Sequence, residues 1–469
     1  MWNFKEYGEK TAIIDDAGNM VSYSELEDFG EEIAQKVGRR CVVFSLCTNT
    51  IGSVAGYASF MNHRIVPVML NAHLETELLE HLIQVYHPAY IWTPDENREF
   101  FAGMESVFSR YGYQLLKTGF ETDYELYPEL GLLLTTSGST GSPKFVRQSY
   151  RNVESNARSI VEYLELDDTE RPISTLPMNY TYGLSIINSH FFVGATLLMT
   201  EKTLMQKEFW KFFREQEATS FGGVPYTYEI LDKLRFYRME LPSLRYSTQA
   251  GGKLSVELHK KFAENAFANQ RKFIVMYGQC EATARMGYLP AEYAVQKIGS
   301  MGIAIPGGTL SIIDVNGKEI QETQVTGELI YEGPNVTLGY AECREDLAKG
   351  DERSGRLETG DMAQKDEDGF FYIVGRKKRF LKIYGNRINL DELDRLIKSK
   401  FDFMECASSG VDDHLYIFVT DERQVEPVKD FVVEKTGFNH AAIRVIKIDE
   451  IPKNDAGKVL YKKLTAYYS

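Results

Sequence analysis

Residues 135–144 read Thr135-Thr136-Ser137-Gly138-Ser139-Thr140-Gly141-Ser142-Pro143-Lys144. Four hydroxyls in the first five positions, two glycines and a closing lysine make a short segment rich in small donors and backbone freedom. Before it runs Leu132-Leu133-Leu134, which reads as a buried strand. After it, Val153, Ala157, Ile160 and Leu164 recur at helical spacing behind Asn152, a residue type favoured at helix N-caps. The pattern predicts a strand-to-helix loop of the kind that wraps a polyphosphate. A flexible surface turn of ordinary linker residues has the same composition.

The segment is not the common nucleotide P-loop, which needs Gly, four residues, then Gly-Lys-Ser/Thr. Here Lys144 follows Gly141 by three positions, behind Pro143, with Phe145 next. The rest of the chain has to choose between the two readings.

The chain has 469 residues, enough for two or three domains with large cores. Its formal net charge of −14 argues against a nucleic-acid partner, whose binders carry a basic face. No run reaches the roughly 20 apolar residues of a membrane span, and the first residues carry no signal-peptide pattern. Cys41, Cys47, Cys280, Cys343 and Cys406 are scattered, without zinc-type spacing or a disulfide framework. A reducing, cytoplasmic compartment is expected. The histidines form no metal-binding pair, so any metal is expected to arrive with phosphates.

Strand-like runs at Cys41–Leu46, Ile65–Leu70, Tyr90–Trp92 and Thr196–Met199 alternate with helical segments, the rhythm of an α/β fold with largely parallel sheets. From about residue 297 short strands and glycine turns predict a more antiparallel, barrel-like section. The basic run Arg376-Lys377-Lys378-Arg379 marks a boundary, and as a charge run it also reads as a solvated loop. Beyond it a small α+β domain is expected, with Asn389 capping a helix whose apolar face is Leu390, Leu393, Leu396 and Ile397. The expected division is a large domain over 1–376 and a small mobile one over 377–469.

In order along the chain, these motifs resemble the acyl-adenylate-forming superfamily of acyl- and aryl-CoA synthetases, peptide-synthetase adenylation domains and luciferase. The resemblance runs from Tyr23-Ser24-Glu25-Leu26 to Lys458. It implies that Thr135, Ser137, Gly138, Ser139, Thr140, Gly141 and Lys144 close over the β- and γ-phosphates of ATP. It implies that Tyr180 gates the acyl pocket, with Tyr182, Gly222, Val224 and Pro225 lining it. Ala250, Gly251 and Gly252 then pack on adenine and floor the tunnel. Tyr277-Gly278-Gln279-Cys280-Glu281 matches the family's Tyr-Gly-x-Thr-Glu, implying adenine stacking by Tyr277 and Mg²⁺ on Glu281. Asp361 is implied on the ribose and Arg376 near the ribose and phosphates. Lys378 is implied as hinge, and Gly385, Asn386 and Arg387 as lining a pantetheine tunnel. Lys458 is the implied catalytic lysine. The implied reactants are ATP, Mg²⁺, a carboxylic acid and CoA.

The chain departs from the family pattern at Phe145, where glycine is usual, and at Cys280, where threonine is usual and a thiol donates more weakly. Its C-terminal domain is short, which leaves a carrier-protein pantetheine or an amine open as acceptor. Neither Tyr180 nor Asn179 is anionic, so an α-amino acid is not expected. The segments Gly222-Gly223-Val224-Pro225 and Met286-Gly287-Tyr288 suit a fatty or aryl acid. Arg285, close by, is expected to pair with a local carboxylate, with the reading of a polar substrate group as the alternative. Outside the ligases, a non-catalytic nucleotide-binding module is the alternative. Oligomeric state is not legible.

Overall fold

The computed structural model describes residues 1–120, 124–135, 144–384, 386–401, 405–453 and 459–468. Two compact units are present, one of 1–309 with 331–357 and one of 310–330 with 358–469.

Two large mixed sheets build the first unit. One has nine strands, in the order Ile303–Ala304, Gly287–Tyr288, Lys272–Tyr277, Tyr246–Gln249, Ser220–Gly223, Pro172–Ile173, Leu197–Met199, Thr11–Asp15, Met20–Ser22. Its six middle strands, from Lys272–Tyr277 to Thr11–Asp15, are parallel, and antiparallel strands close both edges. The other has eight strands, in the order Gly339–Ala341, Phe145–Ser149, Leu130–Thr135, Val66–Asn71, Val42–Cys47, Tyr90–Pro94, Tyr113–Lys117, Glu105–Arg110. Only its middle four are parallel. All six residues of Val42–Cys47 are buried, as expected of a strand covered on both faces. The α/β expectation holds, with antiparallel edges that the alternating pattern did not reveal.

Helix Tyr23–Val37 begins where the sequence places it. The Ser22 hydroxyl accepts from the Glu25 N–H and the Glu25 carboxylate takes the Ser22 N–H, a reciprocal cap. The stretch after the glycine-rich segment differs from expectation. Leu130–Thr135 does not lead into a helix. It pairs antiparallel with Phe145–Ser149, Thr135 opposite Phe145, so the segment bridges the two strands of a hairpin. The helix comes one element later, Tyr150–Leu164, and its N-cap is Ser149; Asn152 is the third residue inside, returning its side chain to the Ser149 N–H. Asn152 takes the inner position of a capping box and not the N-cap that the sequence suggests.

The second unit contains a four-stranded sheet in the order Thr309–Ile313, Gly327–Glu332, Arg356–Lys365, Phe371–Arg376, which is what the short-strand, glycine-turn section forms. It also holds the hairpin Phe380–Ile383 with Asn386–Asn389 and a three-stranded sheet of Cys406–Val411, His414–Val419 and Ile443–Lys447. Asn389 caps helix Leu390–Lys400 through the N–H groups of Asp391 and Glu392. Leu390, Leu393 and Ile397 are buried, whereas Leu396 is on the exposed face, 36% accessible. Among the described residues no helix is long and apolar enough to cross a membrane.

Candidate active site

Three parallel neighbours of the nine-stranded sheet end at the segments the sequence singles out. Ser220–Gly223 runs into Val224-Pro225, Tyr246–Gln249 into Ala250-Gly251-Gly252, and Lys272–Tyr277 into Gly278–Glu281. The crevice beyond the carboxyl ends of parallel strands is where such sheets take ligands.

Gly251 is left-handed, φ +85°, and a Cβ there would lie 2.7 Å from the Tyr180 hydroxyl and 3.0 Å from a Val224 methyl. The glycine thus lets Tyr180, Val224 and the turn close on one another. The Tyr182 hydroxyl is 2.8 Å from Thr248 Oγ1, and Tyr182, Val224 and Ala250 share one apolar cluster with Ile274 and Met276. Burial raises the Tyr180 phenol well above its usual value, so it stays protonated. The expected acyl-pocket residues are therefore brought together.

Gly278 is fixed by its neighbours: a Cβ would fall 1.4 Å from the Ala284 carbonyl oxygen. That close approach turns the chain into the short 3-10 segment Cys280–Ala282 that carries Glu281. Cys280 is buried. The Gln279 amide donates to the Tyr277 hydroxyl at 3.2 Å. Glu281 Oε1 accepts from the Tyr340 hydroxyl at 2.7 Å. The Glu281 carbonyl accepts from the Thr337 N–H, the Thr337 hydroxyl and Arg353 Nη1, each at 3.0 Å.

Tyr340 links this carboxylate to the glycine-rich segment. Lys144 Nζ sits 3.7 Å from the centre of its ring, and the Arg353 guanidinium 4.6 Å from it. Lys144 is also 3.7 Å from Glu342, the two side chains 39% and 65% exposed, an ion pair too loose and wet to hold the lysine. Burial first, and then the Glu281 charge, hold the Tyr340 phenol protonated. The strand bearing Tyr340 is fastened by Arg147, fully buried, whose Nε and Nη2 reach the carbonyls of Tyr340 at 2.9 Å and Leu338 at 3.2 Å, and which is ion-paired to Glu352. Sequence reading missed Tyr340, Arg353 and Arg147. Gly339-Tyr340 was the available signal, an aromatic behind a glycine in a short strand.

Phe145 turns into the core. It is fully buried, its ring 4.9 Å from that of Tyr86, within a core cluster beside Leu133 and Ala341. The bulky residue after Lys144 anchors the strand.

In the second unit, Asp361 and Arg376 face each other across neighbouring strands, with Arg376 Nε 3.2 Å from Asp361 Oδ1. Asp361 is buried and its N–H donates to the Thr359 hydroxyl, which donates in turn to the Leu329 carbonyl. The basic run is only partly solvated. Lys377 pairs with Glu328 at 2.6 Å. Arg379 is buried, bound to Asp391 at 2.8 Å and Asp394 at 2.9 Å, and 3.8 Å above the Tyr461 ring. Ser137, Gly138, Ser139, Thr140, Gly141, Gly385 and Lys458 lie outside the described residues, as do the side chains of Lys378, Asn386 and Arg387. Lys453 and Val459, which flank the lysine loop, pair as an antiparallel bridge.

Magnesium needs hard oxygen ligands, usually one or two carboxylates plus phosphates and water. Glu281 fits: one oxygen takes the Tyr340 hydroxyl and the other is left to a cation. Among the described residues no group of three or more metal-ligating side chains gathers.

A family model described as AMP-binding enzyme matches residues 2–341. A 2-succinylbenzoate–CoA ligase of Bacillus licheniformis is 27% identical over 340 residues, 71% of this chain and 69% of that enzyme. An oxalate–CoA ligase of Arabidopsis thaliana is 29% identical over 353 residues, 72% of this chain and 68% of that one. The o-succinylbenzoate coenzyme A synthetase of Bacillus subtilis, solved with ATP and magnesium, shares the fold with a TM-score of 0.81 over 99% of both chains at 21% identity. The chain belongs to the AMP-binding enzyme family, as an ATP-dependent, AMP-forming acid–CoA ligase.

Proposed function

We propose that the crevice at the strand ends activates a carboxylic acid and that the acyl group then passes to the thiol of CoA. In the first step a carboxylate oxygen bonds to the α-phosphorus of ATP while the bond from that phosphorus to the bridging oxygen breaks, releasing pyrophosphate. In the second, the thiol sulfur bonds to the acyl carbon, AMP leaves with the acyl C–O electron pair, and the thiol proton passes to solvent. Both reactants of the first step are anions, so positive charge placed in advance carries much of the catalysis.

The observation that supports this reading is the meeting of Lys144 and Glu281 on Tyr340. One faces the strand end that leads into the glycine-rich segment, and the other carries the carboxylate suited to magnesium, which when bound would neutralise phosphate charge. Lys144 stays on the polyphosphate side, Glu281 holds the cation, and Tyr340 fixes the carboxylate. Asp361 is the acceptor for the ribose diol, with Arg376 beside it, and Cys280 leaves the α-phosphate to backbone donors. Lys458 completes the charge at the reacting phosphorus, and residues 377–469 swing about Lys378 so that it withdraws before the thiol arrives, with Gly385, Asn386 and Arg387 lining the thiol's approach.

The relatives named above act on 2-succinylbenzoate and on oxalate, which supports a carboxylic acid as substrate. Pyrophosphate release across a panel of acids, with and without CoA, tests the proposal: release with an acid, and acyl-CoA only when CoA is added, is expected. Release that needs no thiol acceptor for turnover, or none with any acid, would overturn it.

A further inference from the structure

Arg285 is 2% accessible, yet no carboxylate of the described residues pairs with it. Its Nε and Nη2 both donate to the Ser185 hydroxyl, at 3.1 and 3.0 Å. Nη1 rests against the Met276 sulfur and lies 3.5 Å from the Tyr163 hydroxyl. The Tyr182 ring stacks under the guanidinium at 4.3 Å. Every partner is neutral. Arginine keeps its charge in proteins, so among the described residues a whole positive charge is buried here without a counter-ion, an arrangement that buried charges normally avoid. The local carboxylate expected from the sequence is missing.

The guanidinium also lines a narrow cavity with Ser189, His190, Ser220, Tyr246 and Thr248, closed by apolar side chains such as Ile186 and Phe221. Its free space is about that of one water molecule, so it suits a small polar head and not a ring. His190 brings no second charge. Burial holds it down at about 4, and its Nδ1 faces the Ile186 carbonyl at 2.8 Å while Nε2 faces the Tyr246 hydroxyl at 3.1 Å. The buried acid Glu170 is already taken by Arg245 and the Thr219 hydroxyl. The Tyr182 ring that the guanidinium covers is itself 6.4 Å from the ring of Tyr180, so it joins Arg285 to the Tyr180–Gly251–Val224 end of the acyl pocket.

We propose that Arg285 is the counter-ion for a second anionic group on the acid substrate, so that the enzyme takes a dicarboxylic acid, one carboxylate reacting with ATP and the other seated against Arg285. This rests on the ligase reading and sharpens it: the apolar and aromatic walls accept the spacer, while the buried cation selects the far end. The second carboxylate makes and breaks no bond. It replaces the absent counter-ion, and a monocarboxylic acid of equal length leaves the guanidinium buried beside a methyl group.

Matched pairs decide it: butyrate against succinate, hexanoate against adipate, benzoate against isophthalate. The wild-type enzyme should release pyrophosphate with at least one diacid at a kcat/KM about tenfold or more above its monoacid partner. Arg285→Met should lose that preference while keeping its apparent KM for ATP, and Arg285→Lys should keep part of it. Equal or better turnover of every monoacid by the wild type overturns the proposal. A separate thermal-shift measurement needs no turnover: the same diacid should raise the melting temperature of the wild type and not of Arg285→Met. Absence of any shift with all three diacids overturns the anion site even if the ligase activity stands, whereas diacid shifts without pyrophosphate release leave the site and remove the ligase reading.

Discussion

Glu281 holds one carboxylate oxygen on the Tyr340 hydroxyl, and this contact fixes which lone pairs face the crevice. Groups that orient a metal-binding carboxylate from behind typically matter by 10–100-fold in metal affinity. Tyr340→Phe removes the hydroxyl and keeps the ring under Lys144, so the magnesium concentration for half-maximal activity should rise about tenfold with the fold intact; an unchanged magnesium titration would count against the assignment. His190 gives a second residue-scale prediction. Burial lowers its value from 6.5 to about 4. Between those limits the unfolded chain binds a proton that the folded one refuses, so this contribution, on the order of 3 kcal/mol, is complete above pH 6.5 and lost as pH falls towards 4. Acid-unfolding midpoints should move to lower pH in His190→Gln if the variant folds with native-like stability at pH 7, and the same slope in both proteins would show the histidine to be irrelevant.

At the scale of elements, the sequence and the structure agree where one signal decides and part where two compete. The buried strands at 42–47 and 66–71 are mostly apolar runs, too short for a helix. The helix after Lys144 was misplaced because Asn152 is a good cap and Ser149 is too; the five residues Phe145–Ser149 form a strand that only its two partners on either side reveal. Leu396 looked like core because it falls at helical spacing, yet it sits on the exposed edge of the apolar stripe. Arg379 looked solvated because it belongs to a basic run, and nothing local announces that Asp391, Asp394 and the Ser408 carbonyl lie around it. That cluster predicts a large effect. Arg379→Met leaves Asp394 buried without its cation and should cost about 3–5 kcal/mol, read as a loss of denaturation midpoint in the second unit. A change below about 1 kcal/mol would mean that the carboxylates relax to solvent.

Across the whole molecule, the motifs named their own chemistry but not their neighbours. Lys144 and Glu281 are 137 positions apart in sequence, and Tyr340, which touches both, lies a further 59 away. Such pairings are products of sheet order and are invisible to spacing. Arg285 is the sharpest case: the sequence shows the arginine, but its lack of a counter-ion among the described residues is a property of everything packed around it. The proposed swing of residues 377–469 gives the molecular-scale prediction. Lys458→Ala should lower acyl-AMP formation by at least about 100-fold and leave transfer from preformed acyl-AMP to CoA close to wild type. Equal losses in both half-reactions would assign the lysine elsewhere.

The hairpin stem beside the glycine-rich segment has a consequence for how this enzyme tolerates change. Phe145 is locked by a ladder on both sides, opposite Thr135 on one and Ala341 on the other, and the next pair is Val146 with Tyr340. Lys144 therefore takes its position from the stem and not from the residues that precede it. One residue added between Lys144 and Val146 would turn every following side chain of the strand to the opposite face, and activity should be lost with Tyr340 no longer opposite Val146. Variation in length is forbidden on the strand side of the lysine.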